Sequence, residues 1–199
     1  MGAATKRTFE ASEVIIRASE PATWLFLVKT GCVDFHVVTN EGQGILLRRL
    51  VPGDVFGVGA FLEKPLGYLG MAKSVRKSEV LTWEHTVVRH LAKAYPRLPE
   101  NALRTVLRYI ALYAERHIRF VSKPAEERLA CVLTSLGTRA GRLLPSGLEI
   151  EIKNEDLASL ADISFYTATR FLKAWERKGA VKKSRGKVII RSPEKLLAA

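Results

Sequence analysis

From Glu100 to Val121 the chain contains neither glycine nor proline, and strong helix formers dominate. Within that stretch Leu103, Leu107, Ile110, Ala114, His117 and Val121 recur at alternating steps of four and three residues, the roughly 3.5-residue repeat of a coiled-coil seam. A second apolar row, Val106, Tyr109, Tyr113 and Phe120, lies on the adjacent face and is expected to pack onto the domain before the helix. One helix with two apolar faces needs two partners, so the first row reads as the interface of a symmetric homodimer. The alternative is a helix buried within one monomer.

The texture on either side differs. Between Val14 and about Glu84 the chain is rich in Val, Ile, Phe and Thr and is broken at short intervals by Gly and Pro, the pattern of short strands joined by turns. Trp24–Val28, Val33–Val38 and Gly44–Val51 read as consecutive strands, punctuated at Lys29–Gly31, Thr39–Gly42 and Pro52–Asp54. A barrel or jelly roll buries such strands without leaving open edges. Pro96 and Pro99 mark the entry to the helix, and Ser122-Lys-Pro-Ala-Glu-Glu127 restarts one, with Ser122 or Lys123 as cap and Pro124 in the first turn. The expected division is therefore a β-roll over residues 1–95, a dimerisation helix over 96–122 and a C-terminal domain over 123–199. That makes an α+β chain: an N-terminal β-roll of the double-stranded β-helix or jelly-roll type, then a long helix, then a winged helix-turn-helix.

Residues 154–181 carry the sharpest pattern. Asn154 is a good N-cap, followed by Glu155, Asp156 and the short apolar helix Leu157–Ala161. Asp162-Ile-Ser164 makes a three-residue turn, and Ser164 can cap a second helix that runs to about Lys178 and stops at Gly179. So tight a turn demands small residues between the helices, and Ala158 and Ala161 supply them. Ile163, Ala168, Phe171 and Leu172 supply the shared core. This is a helix-turn-helix, whose second helix presents its N-terminal residues to base edges in the major groove. Ahead of it, the first helix runs to about Gly137, Thr138–Ser146 reads as a loop and Leu148–Ile152 as a short strand. Beyond it, Ala180–Arg191 reads as a hairpin, the wing, with its turn at Ser184–Lys187.

Charge points the same way. Lys and Arg outnumber Asp and Glu by 32 to 20, a formal net charge of +12, which favours a polyanionic partner. From Arg170 to Lys195 ten basic residues face two acidic ones, beside the second helix of the pair. Phosphate contacts of that kind supply affinity but no sequence information. Met1–Glu13 lacks the apolar core of a signal peptide, and no apolar run approaches the roughly 18 residues that span a bilayer. Cys32 and Cys131 are far apart and form no metal-ligand spacing. A cytoplasmic protein without membrane contact, metal or cofactor is expected.

Taken in order, the β domain, the seam helix and the winged helix-turn-helix resemble the cyclic-AMP receptor protein/FNR superfamily of bacterial transcription regulators across nearly the whole chain. The stretches that carry the resemblance are Leu25–Val33, Leu50-Val-Pro-Gly-Asp-Val-Phe-Gly57 and Ile152–Val181. The resemblance implies a homodimer on two-fold, double-stranded DNA, with RNA polymerase as a further partner. Its effector site does not carry over. At and after Gly57, the family's ribose-binding Glu falls on Val58 and its phosphate-binding Arg-Ser pair on Tyr68-Leu69, while the adenine-contacting Thr-Ser pair on the long helix falls on Tyr113-Ala114. A buried cyclic phosphate needs a cation and donors around it, so no cyclic-AMP dependence is expected. Four thiolates for an iron–sulfur cluster are not available from two cysteines, and His36, His85, His90 and His117 are scattered among apolar neighbours rather than set as haem ligands. Two readings stay open: an unidentified small-molecule effector in the β domain, or a regulator whose apo form already binds DNA because Val58, Tyr68 and Leu69 fill the pocket.

Base reading departs from the family as well. The recognition helix opens Ser164-Phe-Tyr-Thr-Ala-Thr-Arg170, where many relatives carry Arg and Glu at the positions of Phe165 and Tyr166. Arg170 matches a family base-contacting Arg and can reach guanine in bidentate fashion, or else a phosphate. Phe165 or Tyr166 can lie against a thymine methyl or pack in the helix-turn-helix core. Thr167, Thr169 and Lys173 are within reach of bases or phosphates, and Arg185 and Lys187 on the wing are the phosphate-contact candidates. No Ser/His/Asp set, HExxH, P-loop or dinucleotide motif points to an enzyme. The remaining rivals are a sensor module that does not bind DNA and a nonspecific architectural binder.

Overall fold

The computed structural model describes residues 4–39 and 44–197. Three residues of the turn expected at Thr39–Gly42, Asn40 to Gly42, lie outside them. The chain divides into two compact units, residues 1–114 and 115–199, each with its own apolar core.

The first unit is built from antiparallel strands β1 (Thr5–Phe9), β2 (Val14–Ile16), β3 (Trp24–Val38), β4 (Gly44–Leu50), β5 (Val55–Phe56) and β6 (Met71–Glu84). They form one six-stranded sheet in the order β1-β6-β3-β4, with β2 paired to β6 and β5 to β3. Phe9, Ile16, Phe26, Val28, Val33, Leu50, Phe56, Ala72 and Val80 close its core, and Phe26 stacks on Phe56 with ring centroids 4.8 Å apart. This is the rolled jelly-roll-like sheet expected from the strand pattern.

One expectation needs correction, and one element is new. Lys29–Gly31 is not a turn between strands, because β3 runs through it. Its ladder with β6 instead slips register between Val28 and Thr30, between Thr30 and Cys32, and between Cys32 and Val33, so the glycine marks a bulge. Gly31 has φ 92 and passes so close to Ser78 that a Cβ there would collide with the serine; the Cys32 amide donates to Ser78 Oγ at 3.0 Å. Nor does the chain go straight from strands to the long helix. α1 (His85–Ala94) intervenes, buries Val88, and holds the 3-10 turn Val58–Phe61 through His85 Nδ1 to the Ala60 carbonyl (2.9 Å) and Arg89 to the Phe61 carbonyl (2.9 Å).

α2 (Arg97–Ser122) is the long glycine-free helix, and it contains no buried residue. In the single chain Leu103, Leu107, Ile110 and Val121 are all more than half exposed, and Ala114 and His117 are open too. Of the second row, Tyr109 meets the β unit, donating its hydroxyl to the Val55 carbonyl at 2.5 Å. Phe120 does not serve there; it lies beneath the Arg128 guanidinium, 4.9 Å from the ring centroid.

The second unit contains the end of α2, α3 (Ala125–Ala140), β7 (Arg142–Leu144), β8 (Gly147–Glu151), α4 (Asn154–Ala161), α5 (Phe165–Arg177), β9 (Val181–Ser184), β10 (Lys187–Ile190) and the short α6 (Glu194–Leu197). The four strands pair in the order β7-β8-β10-β9. Leu129, Leu133, Ile150, Leu157, Leu172, Trp175 and Val188 form the centre of its core. α3 continues three residues beyond the expected stop at Gly137, because that glycine packs against Leu148 instead of ending the helix. The stretch read as the loop Thr138–Ser146 is accordingly the end of α3 followed by a strand.

Candidate nucleic-acid interface

α4 and α5 meet through Ala158, Ala161 and Ala168, all buried. The turn between them is closed by the Ile163 amide bonding to the Ala158 carbonyl at 3.1 Å. Asp162 takes the left-handed conformation there, φ 52, which costs an L-residue about 1–2 kcal/mol relative to glycine. Ser164 caps α5: its Oγ accepts from the Thr167 amide at 3.1 Å. Asn154 is not the cap of α4; Lys153 flanks the helix without a side-chain cap. The Asn154 amide instead donates across the pair to Thr169 Oγ1 at 3.1 Å, so the side chain joins two helices rather than closing one.

One face of α5 buries Ala168, Leu172 and Trp175, and the opposite face presents Tyr166, Arg170, Lys173 and Arg177 to solvent. Phe165 and Tyr166 both stand outside the apolar core. Tyr166 is 83% exposed, and the two rings meet edge to face at 5.7 Å. Two large aromatics left in water at the start of a recognition helix form an apolar contact surface rather than a core element. Arg170 lies over the Phe171 ring, 5.2 Å from its centroid, which aligns the side chain along the helix surface.

The wing is the β9–β10 hairpin, with Gly186 at φ 72 in its turn. Arg185 projects at the tip, whereas Lys187 is held between Glu149 (3.2 Å) and Glu151 (3.7 Å) on β8. Of the two wing cations singled out from the sequence, one is therefore already countered by carboxylates.

In the first unit the residues assigned to the degenerate effector pocket do not act as a group. Gly57 adopts φ 76, where a Cβ would strike the Trp24 carbonyl oxygen, and Val58 begins the 3-10 turn. The Tyr68 hydroxyl donates to the Trp24 carbonyl and accepts from the Trp24 amide, both at 3.1 Å, and burial pushes its phenol above the ordinary range. Leu69 is 75% exposed and fills nothing, while Tyr113 sits partly exposed on α2. Tyr68 also lines a cavity of about 330 Å³, together with Arg7, Ile15, Ile16, Glu20, Trp24 and Phe26.

Sequence reasoning missed two buried arginines. Arg49 forms a bidentate pair with Asp34 (2.7 and 2.8 Å). Arg48 donates to Asp54 at 2.7 Å, with its side chain only 12% exposed, and lies over Tyr109, 4.0 Å from the ring centroid. Burial pushes the Tyr109 phenol up, and the Arg48 charge partly offsets this. Two adjacent arginines inside an otherwise apolar strand were the available signal, since a strand sends neighbours to opposite faces and neither face of a rolled sheet need be wet.

Among the described residues no group of His, Cys, Asp and Glu is placed to hold a metal ion, and no helix is long and apolar enough to cross a membrane.

A β-roll followed by a winged helix-turn-helix defines a class of two-part DNA-binding regulators. The cyclic nucleotide-binding domain family matches residues 6–95, and the Crp-like helix-turn-helix domain family matches residues 127–199. The chain belongs to the CRP/FNR superfamily of transcription regulators. It is 23% identical to the electron transport regulator A of Shewanella oneidensis over 93% of this chain and 74% of that one. It is 22% identical to the cAMP-activated global transcriptional regulator CRP of Haemophilus influenzae over 92% of this chain and 81% of the other. Its fold superposes on the structure of FixK2 from Bradyrhizobium japonicum with a TM-score of 0.78 at 19% identity, covering 97% of this chain and 95% of that one.

Proposed function

We propose that this transcription regulator acts as a cytoplasmic homodimer that reads a two-fold DNA site without depending on cyclic AMP, and that RNA polymerase is its partner at promoters. The observation that carries the reading is the solvent face of α5, where Tyr166, Arg170 and Lys173 stand free of the core beside the wing cation Arg185. Arg170 is the base reader, Phe165 and Tyr166 make apolar contact with thymine methyls, and Ser164, Thr167, Lys173 and Arg185 reach the backbone. Thr169 is oriented by Asn154, and Lys187 contributes less than its charge implies. The exposed row Leu103, Leu107, Ile110, Ala114, His117 and Val121 is the dimer seam, since an apolar stripe of that length is costly to leave in water.

Independence from cyclic AMP is supported by the chemistry at Tyr68 and Leu69. The Tyr68 hydroxyl is spent on Trp24 and Leu69 has no donor, so a cyclic phosphate there would go unpaired. A second reading, an unidentified small effector, is favoured by the cavity beside Tyr68. Selection of bound sites from a random duplex library, with and without a small-molecule extract, tests both. Enrichment of a two-fold site without extract supports the first reading. Enrichment only with extract supports the second, and no enrichment over random DNA ends both. Micromolar cyclic-AMP binding by calorimetry would refute the independence.

A further inference from the structure

Two guanidinium groups converge on the turn between α4 and α5 from outside the helix pair. Arg116, near the end of α2, makes a bidentate pair with Asp162 (Nε to Oδ2 2.9 Å, Nη2 to Oδ1 2.6 Å) and also donates to the Ser159 carbonyl. Arg128, on α3, donates to the carbonyls of Ala161 (2.9 Å) and Asp162 (3.0 Å), and with its other nitrogen to those of Lys123 (2.9 Å) and Phe120 (3.2 Å). The carbonyls at the end of α4 lack partners within their own helix, and cations are favoured there by the helix dipole. Arg116 is largely buried in this contact and Asp162 is about one-third exposed, so solvent screens the pair only in part.

The backbone of Asp162 makes the arrangement more than a helix cap. A left-handed residue in so tight a turn is ordinarily glycine, and an aspartate persists there when its surroundings over-determine it. Here the surroundings are the Arg116 fork on its carboxylate and a single Arg128 nitrogen on its carbonyl. The last turns of α2 and the base of the recognition helix are thereby one rigid piece within the second unit.

We infer that Arg116, Asp162 and Arg128 form a clasp that positions the recognition helix on the end of the dimer helix and so sets the half-site spacing the protein accepts. The inference rests on the DNA-reading dimer proposed above. In such a dimer the two reading heads are separated by whatever joins each to the seam, and half-site spacing is a geometric property of that connection. With the clasp closed, the connection needs no effector to stiffen it.

The test uses the full chain and the two-fold site selected by the unaltered protein. Affinity is measured for that site, for versions with the spacer changed by one and two base pairs, and for a single half-site. The unaltered protein is expected to prefer its own spacing. Arg116→Met is expected to lower that preference on the order of tenfold, with single half-site affinity unchanged. Asp162→Gly keeps the left-handed backbone and removes the carboxylate. It is expected to match Arg116→Met in spacing preference while its unfolding temperature stays level or rises, which separates positioning from folding and decides the matter if Arg116→Met folds poorly. Arg116→Lys, a point charge without the fork, is expected to fall between. Spacing preference unchanged in both variants, or affinity lost equally on all duplexes including the half-site, would overturn the clasp. Failure of the unaltered protein to prefer any duplex would instead overturn the reading beneath it. Amide exchange at Ile163 in the free protein still judges the clasp in that case: faster exchange in both variants is expected, and no change in either overturns it.

Discussion

Arg48 lies over the Tyr109 ring, 4.0 Å from its centroid, while it donates to Asp54 at 2.7 Å. The aromatic face and the carboxylate together neutralise a cation that the rolled sheet has taken out of water, and the Tyr109 hydroxyl completes the contact on the Val55 carbonyl. Removing one member of the pair and removing both have different consequences. Asp54→Ala strands a buried guanidinium and also removes the acceptor of the Val51 amide, so it is expected to cost about 3–5 kcal/mol in urea unfolding. Arg48→Met leaves the buried Asp54 carboxylate without its cation and is expected to destabilise as well, whereas Arg48→Met combined with Asp54→Ala removes both charges and is expected to cost less than the sum of the two single changes. A double variant as unstable as the sum of the two single variants would show that the ion pair is not the reason for the arrangement.

At the seam, Leu107 is 55% exposed in the single chain and sits mid-row. In the proposed dimer, Leu107→Glu would set like charges against one another across the seam. Sedimentation at micromolar concentration is expected to give a monomer, and affinity for the two-fold site to fall at least about a hundredfold because both half-sites are no longer engaged at once. A dimer that survives this change would move the interface elsewhere.

For base reading, Arg170→Ala is expected to cost about 1–3 kcal/mol and to relax preference at one base pair. Tyr166→Ala should act differently: if the ring meets a thymine methyl, replacing thymine by uracil in the site costs the unaltered protein about 1 kcal/mol and the variant nothing. Equal sensitivity to uracil in both proteins would return Tyr166 to a backbone contact.

On the wing, Arg185→Ala is expected to lower the slope of log affinity against log salt by about one. Lys187→Ala should leave that slope nearly unchanged, because its ammonium is already between Glu149 and Glu151. Titration of DNA binding between low and moderate salt distinguishes them directly.

Periodicity carried most of the architecture. The long helix α2, the Ser164 cap of α5 and the hairpin around Gly186 each rest on local rules that tertiary packing did not override. What escaped was set by distant partners. Gly31 reads as a turn until Ser78, far along the chain, is placed against it; Asn154 reads as a cap until its side-chain amide is seen to donate to Thr169; and Leu143, an apolar residue in a stretch read as loop, belongs to a strand because β8 pairs with it. α1 opens with two histidine-flanked valines that satisfy either a strand or a helix, and it is its bonds to Ala60 and Phe61 that select the helix. At the reading head, the exposed aromatics and Arg170 were legible from residue type, whereas the neutralisation of Lys187 required knowing which face of β8 its carboxylates share.

The partnership between Asp162 and Arg116 also decides where this molecule can be cut. A fragment beginning after Ser122 would keep every residue of the winged helix-turn-helix and still lose the guanidinium that its strained turn leans on. One beginning at Glu115 would retain it. The shorter piece should therefore be the less well ordered of the two, and the natural seam for dissection runs through the middle of a helix rather than at its end.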